Sequence, residues 1–237
     1  MDEGLDRAQS EDRMTSKIDL VRSAIWAEEL TDDVIERAAR GISERHYVKD
    51  SYICHRGDRL DAWTGVVTGL VKMSAVALSG KALTFAGIGA GGWLGEGSML
   101  KNEERKYDLV ALRDTHLLLM NRATFSWLCE NSVGFNRFLV RQLNERLGQF
   151  IAVTEHDRSF DAKARVARNL SWICNPVLCP QVRGVIEITQ EEVGHLAGIS
   201  RQVANRCLKE LADEGLIALE PGLIRPLAVD RLASYGA

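Results

Sequence analysis

Proline is scarce in this chain. All four prolines fall at Pro176 or later, so no pyrrolidine ring interrupts a helix or strand upstream of that point. Long apolar runs are also missing. No stretch of about 18 apolar residues occurs, which excludes a transmembrane helix. The opening segment MDEGLDRAQSEDRMTSK has no apolar centre, so it is no secretory signal and reads as a disordered polar tail over residues 1–17. These absences favour the cytoplasm. The five cysteines (Cys54, Cys129, Cys174, Cys179 and Cys207) are odd in number and scattered, which argues against a disulfide framework. Cys174 and Cys179 flank Pro176 and are conceivable as a redox pair, but isolated structural thiols are the simpler account. No C-x-x-C, H-x-H or H-E-x-x-H spacing appears, so neither a metal nor another cofactor is expected. Charge of neither sign dominates: 30 basic and 33 acidic residues give a net charge of −3. Nucleic-acid contact would therefore need a local basic face rather than bulk charge.

What is present changes in texture along the chain. Ile18 to Arg40 reads as one or two short helices, with Thr31 as an N-cap. From Ile42 to Leu119, short β-rich pieces such as YVKDSYICH, KALTFAGIGA, YDLVAL and THLLLM alternate with glycines and charged turns, and over half of the 20 glycines fall between Gly41 and Gly97. Many short strands with frequent turns suggest a sandwich or barrel of the jelly-roll type. After Asn121 the pattern turns helical. RATFSWLCEN is a short helix, and the segment from Val133 to Phe160 forms one long helix. Phe135, Phe138, Leu139, Leu143, Leu147, Phe150, Ile151 and Val153 sit on it at spacings of three and four, a stripe wide enough for a sheet and a partner helix. An intersubunit coiled coil is the natural use; a core helix within one subunit gives the same stripe. A break at Phe160–Asp161 opens a second helical region beginning with AKARVARNLSWIC.

The most informative stretch is ITQEEVGHLAGISRQVANRCLKELADEGLI, residues 188–217. Thr189 can cap a first helix, with Glu192 three residues on to close a capping box. Gly198 supplies a tight turn, and Ser200 can cap a second helix. On a helical wheel Arg201, Gln202, Asn205, Arg206 and Lys209 share one arc, while Val203, Ala204, Cys207, Leu208 and Leu211 occupy the other. One face packs inward; the other presents donors suited to base edges and phosphates. An ordinary amphipathic helix pair with a solvated basic face is the bland alternative. The tail LEPGLIRPLAVDRL reads as a β-wing around Pro221–Gly222, then a terminal helix capped by Asp230.

A β-roll, a long helix and a winged helix-turn-helix, in that order, resemble the plan of the Crp/Fnr family from about Glu44 to Val229. Gly57 and Gly69 match its turn glycines, GGWLGEGSML its glycine-glutamate segment centred on Gly95 and Glu96, and ARVARNL the start of its DNA-binding domain. The helix-turn-helix matches almost position by position. The resemblance implies an α+β chain: a tail at 1–17, a β-roll sensor domain at 18–131, a dimerisation helix at 132–159 and a winged helix-turn-helix at 160–237. It implies a homodimeric transcription regulator, no enzyme, that reads a palindromic operator under effector control with RNA polymerase as a further partner. The dimer seam would use Phe135, Leu139, Leu143, Leu147, Phe150 and Val153.

The best-known members bind cyclic AMP through the Gly-Glu pair, an Arg-Ser or Arg-Thr pair and polar residues of the long helix. An ungapped alignment from Gly95–Glu96 puts Lys106 and Tyr107 at the phosphate and Phe150 and Ile151 at the adenine, with Arg105 one residue out of register. Both departures argue against cyclic AMP. Trp93, Tyr107, Phe150 and Ile151 are instead expected to wall a more apolar pocket, with Gly95, Glu96 and Lys106 as polar anchors, for a small aromatic or anionic effector. A pocket filled by its own aromatics, binding nothing, is the competing expectation. The iron–sulfur members need N-terminal cysteines, and none precedes Cys54; His46, His55, His116 and His156 have no recognisable haem context.

For DNA, the resemblance puts Arg201, Gln202 and Arg206 at the base edges and Thr189, Ser200 and Lys209 at phosphates, with Asn205 on the same face. Gln202 replaces a glutamate of the common pattern, so the half-site is expected to differ at one base pair. A cupin-like enzyme, the other use of a jelly roll, lacks its histidine motif here.

Overall fold

A computed structural model describes residues 17–76, 82–156, 162–182 and 184–236. The rest of the expected tail, the Phe160–Asp161 break and the side chains of Val153 and His156 lie outside the described part. A 3-10 turn at Ile25–Ala27 and helix α1 (Asp32–Arg40) precede a β-roll of eight strands. These are β1 (Ile42–Tyr47), β2 (Tyr52–Cys54), β3 (Ala62–Thr68), β4 (Val71–Val76), β5 (Ala82–Ile88), β6 (Trp93–Leu94), β7 (Asp108–Ala111) and β8 (Thr115–Asn121). They form two four-stranded antiparallel sheets, ordered β1-β8-β3-β6 and β2-β7-β4-β5. Alternation explains the layering: Val66, Leu94 and Leu117 of one sheet meet Val71, Met73, Ile88, Leu109 and Ala111 of the other in a dry core.

Helix α2 (Glu96–Lys101) interrupts the roll between β6 and β7; its signal was too short for the periodicity to reveal. Helix α3 (Arg122–Asn131) coincides with RATFSWLCEN and is capped by Asn121, whose side chain accepts from the Thr124 amide. Helix α4 (Val133–His156) is the long helix, 24 residues and so about 36 Å. Its first half is an intrasubunit element. Phe135 and Phe138 are fully buried with Trp26, Trp63, Trp93 and Phe125 in edge-to-face and tilted pairs. Phe135 and Leu139 therefore close the aromatic core rather than a dimer seam, because the N-terminal turn and α3 already cover that end of the helix.

The C-terminal region contains α5 (Ala162–Ile173), α6 (Gln190–Ala197), α7 (Arg201–Asp213) and α8 (Val229–Ala233), with a three-stranded wing β10-β11-β9. Strands β9 (Ile186–Glu187), β10 (Ile217–Glu220) and β11 (Leu223–Pro226) are antiparallel, and the β10–β11 hairpin turns at Pro221–Gly222 as expected. Two caps differ from expectation. The α8 N-cap is Ala228 with no side-chain bond, so Asp230 lies inside the first turn instead of capping it. Thr31 occupies the N-cap of α1, but its hydroxyl bonds the Asp33 carboxylate rather than a backbone amide. Leu70 and Leu112 of the roll are buried in the same apolar cluster as Val166, Val193, Leu196 and Leu208, so the two domains share a core.

Candidate nucleic-acid interface and effector pocket

The helix-turn-helix is built as its residues dictate. The Thr189 side chain accepts the Glu192 amide, and the Glu192 carboxylate accepts the Thr189 amide at 2.7 Å, closing the capping box. Gly198 ends α6 at φ 64°, a left-handed conformation open to glycine, and Ser200 caps α7 through the Val203 amide. Ala204, Cys207, Leu208 and Leu211 are buried, which turns the other arc outward. Ser200, Arg201, Gln202, Arg206 and Lys209 are exposed together on that side, with Asn205 half-buried beside them. Among the described residues Arg206 makes a long 3.9 Å approach to Glu210, which leaves its guanidinium largely solvent-facing. Thr189 is exposed at the N-terminus of α6, but its hydroxyl is already engaged by Glu192. Lys163 of α5 holds Glu214 and Glu210 at 2.8 and 3.2 Å, which braces the far end of α7.

Around Gly95 and Glu96 the structure brings together charged and polar side chains, where the expected lining was largely apolar and aromatic. Gly95 adopts φ 96°, and a Cβ there would lie 1.9 Å from Arg105 Nη1. The Arg105 guanidinium thus sits directly against the Gly95 backbone, 1 % exposed, donating to the Ala62 carbonyl at 2.6 Å and to the Tyr107 hydroxyl at 3.3 Å. Glu96 is buried alongside, and its Oε2 has no partner among the described residues. Burial pushes the Tyr107 hydroxyl above its usual pKa; Arg105 opposes that shift, and Glu96 and Arg146 act on the same hydroxyl. Gln142, Arg146 and Gln149 form a buried polar row on α4, with Arg146 Nη1 on Gln149 Oε1 at 3.0 Å. Both polar atoms of Gln142 and Nη2 of Arg146 lack partners among the described residues. Buried polar atoms of this kind require a partner, whether water or a polar ligand.

Four expected pocket residues lie elsewhere. Trp93 belongs to the aromatic core, 5.4 Å from Trp26 and 4.3 Å from Trp63. Lys106 is a surface residue paired with Glu103 at 3.2 Å. Phe150 is half-exposed against Phe85, and Ile151 is exposed. An ungapped count puts Lys106 at the anion position, yet the chain turns Arg105 inward, one residue earlier. Arg146 and Gln149 carried no sequence signal, because a polar residue on a long helix normally faces water.

Glu192 has a second partner that no motif announces. Arg113, just before β8, donates Nε and Nη2 to the two Glu192 oxygens at 2.7 Å each. Burial raises the Glu192 carboxyl, but Arg113 and the Thr189 amide together outweigh it and hold it below the usual 4.5. A depressed carboxyl contributes stability that is fully present above its unfolded value and is lost as pH falls through its folded one. The stability gap between the wild type and Glu192→Gln, measured in urea, is therefore expected to be constant above about pH 5 and to close on further acidification. A gap unchanged down to about pH 3 overturns this assignment.

A two-sheet roll with a buried cluster of charged and polar side chains, joined by a long helix to a winged helix-turn-helix with an exposed polar face, defines a DNA-binding transcription regulator. Comparison with known proteins agrees. Residues 44–132 match a cyclic nucleotide-binding domain, and residues 164–235 match a Crp-like helix-turn-helix domain. The cyclic AMP receptor protein of Thermus thermophilus is 30% identical over 195 residues, 82% of this chain and 88% of that protein. The crystal structure of the Thermus thermophilus catabolite activator protein is 27% identical with a TM-score of 0.50, covering 90% of this chain and 99% of that one. FixK2 from Bradyrhizobium japonicum, 20% identical, shares the fold with a TM-score of 0.62 over 83% of this chain and 98% of its own. The chain belongs to the Crp/Fnr family of transcription regulators.

Proposed function

We propose that this regulator acts in the cytoplasm as a homodimer that reads a palindromic operator, and that a small organic anion in the β-roll controls it. The observation that supports the effector is Arg105, buried against Gly95 beside the open oxygen of Glu96. A buried guanidinium with carbonyl partners only on one side favours a bidentate anionic ligand. Arg146 adds a second cation near Tyr107. Gln142 and Gln149 supply donors and acceptors on the face of α4 that carries Arg146. The dimer is supported by α4 itself: Val140, Leu143 and Leu147 form an exposed apolar stripe, and Ile151 continues it at 48% exposure. No helix among the described residues is long and apolar enough to cross a membrane.

A second reading, cyclic AMP as that anion, is favoured by the name of the Thermus relative. Either anion must displace the Tyr107 hydroxyl from Arg105, so that contact does not separate the two readings. Thermal-shift titration with cyclic AMP, cyclic GMP and a set of aromatic and aliphatic acids separates the readings. A gain of several degrees from an organic acid is expected. A gain from cyclic AMP alone selects the second reading, and no gain from any anion overturns the sensor assignment.

A further inference from the structure

The glycine-rich segment GIGAGG, residues 87–92, serves no recognised ligand motif. In the fold it runs from the end of β5 into the turn before β6 and lies flush against the DNA-reading domain. A Cβ on Gly87 would come within 2.9 Å of Leu196 on α6. One on Gly91 would meet Gln181 and Pro180 at 2.8 and 2.9 Å, and one on Gly92 would meet the Leu178 carbonyl at 2.5 Å. The Gly89 amide donates to Cys179 Sγ at 3.4 Å. Around this bare surface sit directional contacts: the Thr84 hydroxyl to the His195 carbonyl, Lys49 to Glu191, Asn175 to Glu145, and the Arg113 fork on Glu192. Arg113 Nη2 also donates to the Glu187 carbonyl at 2.7 Å, so one guanidinium ties the roll to both β9 of the wing and α6 of the helix-turn-helix.

We propose that Arg113 is a positioning residue for DNA recognition: with the Gly87–Gly92 surface it clamps α6 to the β-roll and thereby sets the direction in which α7 points. The docked face is that of Glu192, His195 and Leu196, whereas Arg201, Gln202, Arg206 and Lys209 stay exposed. Docking that leaves the reading face open favours a geometry prepared for DNA over one that occludes it. Two subunits must present their recognition helices about one helical turn apart, and a clamped domain meets that spacing without an orientational search. The same segment continues through Trp93 and Leu94 into Gly95 and Glu96, so a ligand at Arg105 lies one short strand from the clamp. This inference rests on the dimeric reading proposed above.

The test compares wild type, Arg113→Ala and Glu192→Gln on operators whose half-sites are moved apart one base pair at a time. Gln retains the capping box with Thr189 while removing the charge that Arg113 grips. The wild type is expected to lose about tenfold or more in affinity for one added base pair, and both variants about twofold, starting from a weaker optimum. Hydrogen exchange on the free proteins should show Gly87–Gly92 and α6 losing protection in both variants. Variants that keep the wild-type spacing profile and exchange pattern, or that bind DNA more tightly, overturn the clamp. A wild type that sediments as a monomer and ignores spacing overturns the dimeric reading instead, and the exchange measurement still decides the clamp.

Discussion

Leu147→Glu is expected to turn the protein from a dimer into a monomer in sedimentation and to weaken its binding to a two-half-site operator by about 100-fold or more. Leu147 is 57% exposed in the subunit, and Val140 at 67%, Leu143 at 39% and Ile151 at 48% continue the stripe along α4. These positions recur at three and four residues, so a second α4 can cover them as one seam. A carboxylate in the middle of that seam would be desolvated against its symmetry mate, two like charges a short distance apart, and the pair would separate instead. The loss in DNA affinity follows from linkage: each half-site contact alone is weak, and holding two together raises the effective concentration of the second. Phe135→Leu and Leu139→Ala lie off the seam and should destabilise the fold while leaving the subunit count unchanged. A Leu147→Glu protein that remains dimeric would falsify the assignment of this face.

Arg206→Ala carries the second large effect. It is expected to cost about 1–3 kcal/mol, roughly 5- to 150-fold in operator affinity, and to relax one base-pair position in a binding-site selection. Arg206 is exposed in the middle of the open arc of α7 and spends little on Glu210 at 3.9 Å, so its fork is free for the two acceptors of a guanine. Lys209→Ala supplies the contrast. A lysine on a phosphate should weaken all sequences alike and lower the salt dependence by about one counterion, with the preferred sequence unchanged. Selection returning the same preference from Arg206→Ala as from wild type removes Arg206 from the base-reading set.

Legibility from sequence followed the range of the forces involved. The helix-turn-helix was readable because caps and amphipathic faces are local: Thr189, Glu192, Gly198 and Ser200 lie within 12 residues and perform their roles within one or two turns of backbone. The β-roll was readable in outline because glycine turns and short apolar runs recur, although β6 and α2 were too short to register. The long helix was readable as a helix but not as to its partners. Its apolar stripe divides between an internal half at Phe135, Phe138 and Leu139 and an open half at Leu143 and Leu147. Periodicity is the same in both halves; only Trp26, Trp63 and Phe125, brought from distant segments, distinguish them.

The sequence by itself determined the order of the parts, the capped second helix of the helix-turn-helix and the residues on its exposed polar face, because each depends on neighbours a few positions away. The tertiary structure alone decided that Arg105, not Lys106, is buried against Gly95, that Trp93 is core, and that Arg113 grips Glu192 from 79 residues away. Those outcomes depend on which side chain can bury its charge against partners supplied by other strands and helices. A guanidinium beneath Gly95 is tolerable only where the Ala62 carbonyl and the Tyr107 hydroxyl receive it, and no one-dimensional pattern places those groups together.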